Sequence, residues 1–277
     1  MNTVPTLIMN DGLPIPQLGF GVFQIPQDQT EAAVTAALEA GYRLIDTAQG
    51  YQNEEGVGAA IVKSGIPPDD LFITTKLTNG EQGYDRTLAA FDESMRKLGL
   101  DVLDLFLIHW PVPAFDLYVE TWRAFEHLRA SGRVRSIGVS NFAIEHLERL
   151  FAETDTVPVV NQVELHPEFP QEELRAFHVE HGMLTESWGP IGQGKGLLEN
   201  PDLVEMARNK GRTPAQVVLR WHLQLGCVVI PKSVHAERIR QNIDIFELEL
   251  DDADMKTIAE LNSGRRLGPD PKTFDMR

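Results

Sequence analysis

The chain has 277 residues, 42% of them apolar, with one cysteine and a formal net charge of −16. The acidic balance excludes nucleic acid and anionic membrane as default partners, because the average electrostatic field repels both. The lone Cys227 excludes an intramolecular disulfide framework. No basic segment precedes a long apolar run near the N-terminus, so we expect a cytoplasmic protein with no membrane span.

The first segment is predicted to be a β-hairpin, with residues 6–9 and 13–15 as strands around the turn Asn10-Asp11-Gly12. So small a hairpin cannot stand alone, and we expect it to plug one end of the main body. After it, short apolar runs alternate with helical patterns. The runs predict strands at residues 19–23, 44–47, 71–76, 104–109, 134–139, 157–162, 183–187 and 228–230.

Helical patterns lie between and after these runs. They cover residues 29–40, 53–62, 84–98, 115–131, 143–151, 170–180, 202–210 and 213–225, with extra helices at 236–242 and 251–261 near the C-terminus. Residues 262–277 are rich in glycine, proline and charge, which is typical of an irregular tail.

Eight strands alternating with helices, with no linker between them, predict one (β/α)8 TIM barrel domain over residues 1–277. The alternative architecture is an open, doubly wound sheet that binds a dinucleotide. Its phosphate fingerprint is missing, because Gly19 and Gly21 are not followed by a third glycine that opens a helix.

Polar side chains stand where most of the predicted strands end. In a barrel these ends converge on one mouth. The residues there are Asp46, Lys76, His109, Trp110, Ser140, Asn141, Asn161, Gln162, Ser187, Trp188, Lys232 and Ser233. Any one of them could be an ordinary loop residue or a satisfied core residue, but their shared position predicts an active site.

Four of the residues in this region suit proton delivery to an oxygen. Tyr51 follows Asp46 by five positions, and a tyrosine has an ordinary pKa of about 10 that a nearby ammonium such as Lys76 would lower. Asp46 could hold Lys76, while His109 could hydrogen-bond a substrate oxygen. The set suits carbonyl reduction, and because no side chain can donate a hydride, it implies a cofactor.

The motifs of the chain closely resemble those of the aldo-keto reductase family. They are Leu44-Ile45-Asp46-Thr47-Ala48 with Tyr51, Thr74-Thr75-Lys76-Leu77, Leu107-Ile108-His109-Trp110-Pro111, Gly138-Val139-Ser140-Asn141-Phe142, Asn161-Gln162-Val163-Glu164-Leu165-His166-Pro167, Ser187-Trp188-Gly189-Pro190 and Ile230-Pro231-Lys232-Ser233. The Gly-Gln-Gly-Lys run that starts at Gly192 is similar to the prokaryotic branch of 2,5-diketo-D-gluconate reductases.

The resemblance implies NADPH-dependent reduction of small aldehydes, ketones or dicarbonyls, including keto sugar acids such as 2,5-diketo-D-gluconate. Tyr51 would be the general acid, Lys76 and Asp46 its tuning pair, and His109 the group that orients the carbonyl. The substrate would meet Phe23, Tyr51, His109 and Trp110, under the tail of residues 262–277.

The resemblance also assigns the cofactor contacts. Ser140, Asn141 and Gln162 would hold the nicotinamide carboxamide while Trp188 stacks on the ring. The glycines of the following loop would let backbone N–H groups approach the pyrophosphate; they are Gly189, Gly192, Gly194 and Gly196. Lys232, Ser233, Val234 and Arg238 would meet the 2′-phosphate, with Asn242 near the adenine.

Two positions depart from relatives in this branch. Thr78 stands where tryptophan often follows the catalytic lysine by two residues, so one aromatic wall of the substrate pocket would be missing. His235 stands where some relatives carry arginine, which bears on the preference for NADPH over NADH.

Two other functions are weighed against the reductase. A nicotinamide-binding sensor would keep the barrel but could lose Tyr51 or His109, and both are present. A metal-dependent hydrolase would need several converging histidines or carboxylates, whereas His166 is the one further histidine near a strand end. We therefore expect a monomeric enzyme that has no metal and acts on a small carbonyl compound.

Overall fold

The N-terminal hairpin is present in the computed structural model, which describes residues 4–276. Strands β1 (Thr6–Ile8) and β2 (Pro14–Pro16) pair antiparallel. Met9 and Ile15 are buried in a cluster with residues that open the barrel strands, among them Leu44 and Phe72. The hairpin therefore closes the N-terminal end of the barrel, as predicted.

Eight parallel strands form the barrel, each paired with the next one in the chain. They are β3 (Gly19–Gly21), β4 (Leu44–Asp46), β5 (Phe72–Leu77), β6 (Leu103–Ile108), β7 (Val134–Ser140), β8 (Val160–Glu164), β9 (Leu184–Trp188) and β10 (Val228–Val229). Between the last strand and the first, the N–H of Val229 donates to the oxygen of Gln17 at 3.0 Å and that of Gly21 to Pro231 at 3.1 Å. The predicted (β/α)8 barrel is thus confirmed.

The helices surround this barrel. They are α1 (Gln27–Ala40), α2 (Glu54–Ser64), α3 (Tyr84–Leu98), α4 (Tyr118–Ala130), α5 (Ile144–Glu153), α6 (Glu172–Glu180), α7 (Pro201–Asn209), α8 (Pro214–Gln224), α9 (Ala236–Ile243) and α10 (Asp252–Ala259). None of the helices within residues 4–276 is long and apolar enough to cross a membrane.

Several boundaries differ from the prediction, and two of these differences have a clear physical reason. Helix α4 begins at Tyr118 rather than near residue 115, because a short 3₁₀ turn at Pro113–Phe115 is followed by Asp116 with a left-handed φ of 53°. Strand β8 begins at Val160 rather than at residue 157, since Pro158 has no N–H to donate to a sheet. The strand ends at Glu164, which lies at the barrel mouth.

Side chains alternate between two cores along the strands. On β6, Leu105 and Leu107 fill the barrel interior, whereas Phe106 faces the outer helices. The Phe106 ring lies 5.1 Å from that of Phe91 on α3 and 4.3 Å from that of Phe125 on α4, measured between centroids. This alternation is the period-2 geometry of a strand, and it fixes which residues can face the mouth.

Candidate active site

The predicted catalytic residues converge at the C-terminal end of the barrel. Asp46 ends β4, Lys76 lies near the end of β5, and His109 directly follows β6. Tyr51 comes from the 3₁₀ turn Gln49–Tyr51 that connects β4 to α2. Because neighbouring parallel strands end at the same edge, four residues distant in sequence share one pocket.

Asp46 and Lys76 form a buried ion pair. The Lys76 ammonium donates to Asp46 Oδ1 at 2.6 Å and to the carbonyl oxygen of Thr47 at 2.9 Å, and both charged side chains are almost completely buried. Burial acts to lower the pKa of Lys76, but the Asp46 carboxylate, with a smaller contribution from Tyr51, outweighs it and the pKa is raised. Lys76 is therefore an ammonium throughout the physiological pH range.

The third N–H of Lys76 points to Tyr51. The distance from Lys76 Nζ to the phenol oxygen is 3.4 Å, and the ammonium lies 5.1 Å from the ring centroid. Since the phenol oxygen accepts from Lys76, its own hydrogen remains available to a substrate. The ammonium does act to lower the pKa of Tyr51, but the expected net decrease is wrong: burial dominates and raises the pKa. Tyr51 is thus a protonated acid at neutral pH.

His109 stands across the pocket from Tyr51. Their ring centroids are 5.6 Å apart and the rings meet edge to face. Burial, together with the Lys76 charge, lowers the pKa of His109 to about 3. The imidazole is consequently neutral, and it can hydrogen-bond a carbonyl oxygen without adding a positive charge.

Aromatic side chains form the rim of this pocket. Phe23 remains 48% exposed, and its ring centroid lies 5.0 Å from that of Tyr51. Trp110 packs against Phe274 of the C-terminal tail with centroids 4.4 Å apart. Thr78 is half-buried near this rim, where its N–H donates to Gln49 Oε1 at 2.9 Å.

The residues expected to meet a nicotinamide carboxamide lie at the ends of β7 and β8. Ser140 donates to the carbonyl oxygen of Gln162 at 2.8 Å. Asn141 has a left-handed φ of 63°, which few residues other than glycine and asparagine adopt without strain. Its side chain donates to the carbonyl oxygen of His109 at 2.9 Å and accepts the indole N–H of Trp188 at 2.8 Å.

Asn161, which the sequence placed among the strand-end residues, does not face the mouth. It is fully buried, and its side-chain nitrogen donates to the carbonyl oxygen of Phe142 at 2.9 Å and lies 2.9 Å from a ring nitrogen of His178. The alternation along β8 accounts for this, because Gln162 points into the barrel and its neighbour must point outward.

The loop after Trp188 is shaped by its glycines. Gly189, Gly192, Gly194 and Gly196 have φ values of 61°, 76°, 71° and 96°. At Gly192 a side chain is excluded twice over, because a Cβ would also lie 2.7 Å from Leu197 Cβ. The backbone of this loop is therefore open to close approach by a ligand.

A basic segment follows β10 and leads into α9. Lys232, Val234 and Arg238 are exposed, whereas Ser233 and Asn242 are buried. The Ser233 hydroxyl oxygen accepts the N–H of His235 at 3.1 Å, which shapes the turn before the helix. Exposed cations in a chain of net charge −16 are suited to an anionic group.

Sequence reasoning missed two buried glutamates at the mouth. Glu186 lies on β9 and accepts from Gln162 Nε2 at 3.0 Å, and Glu164 ends β8 beside the C-terminal tail. The signal that identified Asp46, a carboxylate in a buried strand, was also present at both positions.

A cavity of about 550 Å³ lies beside the active site. Its lining includes Asn141, Glu164, Arg266 and Lys272, but none of the four residues Asp46, Tyr51, Lys76 and His109. The four predicted catalytic residues therefore lie outside this space between the tail and α5.

Comparison with known proteins identifies the family. Residues 17–263 match the Aldo/keto reductase family. The chain is 57% identical to an aldo-keto reductase of Mycolicibacterium smegmatis and 50% identical to the methylglyoxal reductase DkgA of Salmonella typhimurium, covering 98% of each chain in both cases. The crystal structure of a mutant of Gox0644 in complex with NADPH has a TM-score of 0.94 and 50% identity, with 99% of each chain covered.

The chain therefore belongs to the aldo/keto reductase family and is an oxidoreductase. Its bacterial relatives also confirm the prokaryotic branch that the motifs indicated.

Proposed function

We propose that the protein reduces small aldehydes, ketones and dicarbonyls to alcohols with NADPH, and that Tyr51 is the proton donor. One observation carries the proposal: Asp46, Lys76 and Tyr51 form a continuous hydrogen-bonded chain beside a neutral His109. This arrangement offers one acidic proton and one neutral hydrogen-bonding ring to the same oxygen.

The residues around the pocket fit NADPH. Ser140, Asn141, Gln162 and Trp188 offer polar groups and an aromatic face next to Tyr51, and the glycines from Gly189 to Gly196 leave room for a pyrophosphate. Exposed Lys232 and Arg238, with Ser233 and Val234 between them, suit the 2′-phosphate, and Asn242 suits the adenine. When bound, NADPH supplies the hydride for the carbonyl carbon.

The side chains of the protein account for the rest of the reaction. His109 and Tyr51 orient the carbonyl oxygen between them, and Tyr51 gives its proton to that oxygen as negative charge develops there. The Lys76 ammonium stabilises the resulting tyrosinate, and Asp46 keeps Lys76 in place. Solvent then returns the proton to Tyr51.

The rim supports small, partly polar substrates. Phe23 and Trp110 supply apolar walls, and residues 262–276 form a substrate loop, since Phe274 lies on Trp110. Half-buried Thr78 leaves one side of this rim without an aromatic ring. Methylglyoxal, the substrate in the name of DkgA, and keto sugar acids such as 2,5-diketo-D-gluconate both belong to this class.

The test is NADPH oxidation by the purified protein with methylglyoxal, phenylglyoxal, a simple aldehyde and 2,5-diketo-D-gluconate, with NADH run in parallel. We expect turnover with NADPH on at least the dicarbonyls, and the ranking within the panel defines the substrate class. Tight NADPH binding with no turnover on any of the four would instead favour a nicotinamide sensor.

We further propose that the enzyme is a cytoplasmic monomer of one domain spanning residues 1–277. Its single cysteine is buried, which suits a reducing compartment, and the net charge of −16 opposes self-association. Gel filtration with light scattering tests the monomer: a mass near 31.0 kDa is expected, and twice that mass would contradict it.

A further inference from the structure

Glu186 is a buried carboxyl group that the catalytic residues and the cofactor contacts leave unexplained. It lies on β9 with no exposed surface. Its Oε2 accepts from Gln162 Nε2 at 3.0 Å, and its Oε1 has no hydrogen-bond partner among the described residues. Burying a carboxyl oxygen without a hydrogen bond costs free energy, which suggests that Glu186 is there for a function.

Gln162 connects this carboxyl group to the active site. Its single side-chain nitrogen donates to Asp46 Oδ2 at 2.8 Å and to Glu186 Oε2 at 3.0 Å. Both amide hydrogens are thereby used on carboxyl oxygens that act as acceptors. The amide is held in one orientation, and only its carbonyl oxygen is left for a ligand.

The contacts continue from Asp46 to the proton donor. Asp46 Oδ1 accepts from Lys76 at 2.6 Å, and Lys76 donates to Tyr51 at 3.4 Å. Glu186 therefore ends a line of five groups, four of them buried, that runs to the half-buried phenol of Tyr51. The titratable groups that act on it are Asp46 and Lys76, and its own charge in turn reaches Lys76 and Tyr51.

We propose that Glu186 is a positioning residue of this active site. Through Gln162 it fixes the acceptor that receives the nicotinamide carboxamide, and at alkaline pH, where it is ionised, its negative charge adds to that of Asp46 behind the proton donor. The inference rests on the proposed reductase function and extends it to a residue that contacts neither substrate nor cofactor.

The charge of Glu186 should raise the pKa of Tyr51. Burial and the neighbouring Asp46 raise the pKa of Glu186 to about 8, so it ionises at mildly alkaline pH. Once ionised, its charge contributes to raising the pKa of Tyr51. The phenol then stays protonated at higher pH, and reduction persists there. Removing the charge should shift the alkaline limb of the kcat profile to lower pH.

Two variants separate the orienting effect from the charge effect. Glu186→Gln keeps an acceptor for Gln162 but loses the charge, so NADPH affinity should stay within about twofold of the wild type. The alkaline limb of its kcat profile for reduction should move to lower pH by about half a pH unit to one pH unit. Glu186→Leu also loses the acceptor, so the Kd for NADPH should rise about tenfold, as expected for one hydrogen bond.

Glu54→Gln is the matched control. Glu54 is another buried glutamate, its Oε1 accepts from the Thr75 hydroxyl at 2.7 Å, and its Oε2 is likewise unpaired. It has no hydrogen bond to Gln162, Asp46 or Lys76 among the described contacts. We expect its NADPH affinity and pH profile to match the wild type, even if its melting temperature falls.

The outcomes distinguish the two proposals. If the wild type reduces no carbonyl compound with NADPH, the reductase function itself is wrong. If the wild type is active but Glu186→Gln and Glu186→Leu share its Kd and its alkaline limb, the positioning function is wrong. Should Glu186→Leu fail to fold, the pH profile of Glu186→Gln decides alone.

Discussion

Glu164, the last residue of β8, accepts the backbone N–H of Gly268 at 2.8 Å and so anchors the C-terminal tail at the barrel mouth. The same carboxylate accepts the N–H of Leu267 and lies 3.0 Å from His166 Nε2. A Cβ on Gly268 would lie 2.6 Å from the Trp188 ring, so the tail backbone sits directly on the indole. One buried carboxylate thus connects the strand that carries Gln162 to the segment that covers Trp188.

Glu164→Gln should loosen this tail. The amide replaces two charge-assisted hydrogen bonds with weaker ones, so exchange of the Leu267 and Gly268 amides should speed up about tenfold. Hydrogen–deuterium exchange measures this, and Glu172→Gln on the surface of α6 is the control. Unchanged exchange in Glu164→Gln would contradict the anchoring.

The anchoring should also depend on pH. Burial acts to raise the pKa of Glu164, but His166 and the two backbone N–H groups outweigh it, and the pKa is lowered. A carboxyl with a lowered pKa stabilises the docked tail fully above its ordinary pKa of about 4.3, and the stabilisation is lost as pH falls through the lowered value. The exchange rate of these amides, corrected for the intrinsic effect of pH on exchange, should therefore rise below about pH 4.3 in the wild type. In Glu164→Gln the corrected rate should stay flat.

Tyr51→Phe removes only the phenol oxygen. Turnover should fall by about 10²- to 10⁴-fold, because proton donation to the developing alkoxide is lost, while the Kd for NADPH stays within about twofold. Steady-state kinetics and a fluorescence titration measure the two quantities. Tyr84→Phe, outside the pocket on α3, is the control and should keep wild-type turnover. A fully active Tyr51→Phe enzyme would refute the proton-donor role.

Much of this site could be predicted because it depends on local pattern and barrel geometry. Asp46 and Lys76 each end a short apolar run, and parallel strands bring such ends together whatever the loops do. The sign of the Tyr51 pKa shift could not be predicted in this way. It depends on how deeply the ring is buried relative to its distance from Lys76, and the sequence specifies neither.

The roles of Glu164 and Glu186 could not be predicted from the sequence for a related reason. Their importance depends on partners from distant segments, the tail at Gly268 for Glu164 and the amide of Gln162 for Glu186. A sequence pattern assigns a residue to one face of a strand, but it does not show which segment covers that face. The boundary of β8 was also displaced, since the proline at position 158 delays the strand by several residues.

Lys232→Gly and Arg238→Ala test the site proposed for the 2′-phosphate. Each variant removes an exposed cation, so the Kd for NADPH should rise by about tenfold, as expected for loss of a charge-assisted contact. The Kd for NADH should change by less than about twofold. Lys256→Ala removes an exposed cation from α10 and should change neither value. Equal losses for NADPH and NADH in the first two variants would contradict the assignment.

Asp46→Ala should destabilise the protein strongly. It leaves the buried Lys76 ammonium without its carboxylate, which costs about 3–5 kcal/mol in the free energy of unfolding. Urea denaturation measures the loss. The double variant that also carries Lys76→Met has no stranded charge. We therefore expect it to recover between several tenths and most of the lost free energy of unfolding. If the double variant loses more free energy of unfolding than the two single variants added together, the ion pair is not the source of the destabilisation.

Gly58 sets how closely α2 packs against the end of α3. A Cβ at this position would lie 2.6 Å from the carbonyl oxygen of Lys97 and 2.7 Å from that of Leu98, and backbone cannot move aside as a flexible side chain can. Gly58→Ala should therefore lose about 1–3 kcal/mol of stability despite the better helix propensity of alanine. Gly80→Ala is the control, because a Cβ there meets nothing within 4 Å. It should be neutral or stabilising by up to about 1 kcal/mol. A Gly58→Ala protein as stable as the wild type in urea would show that the two helices can separate without cost.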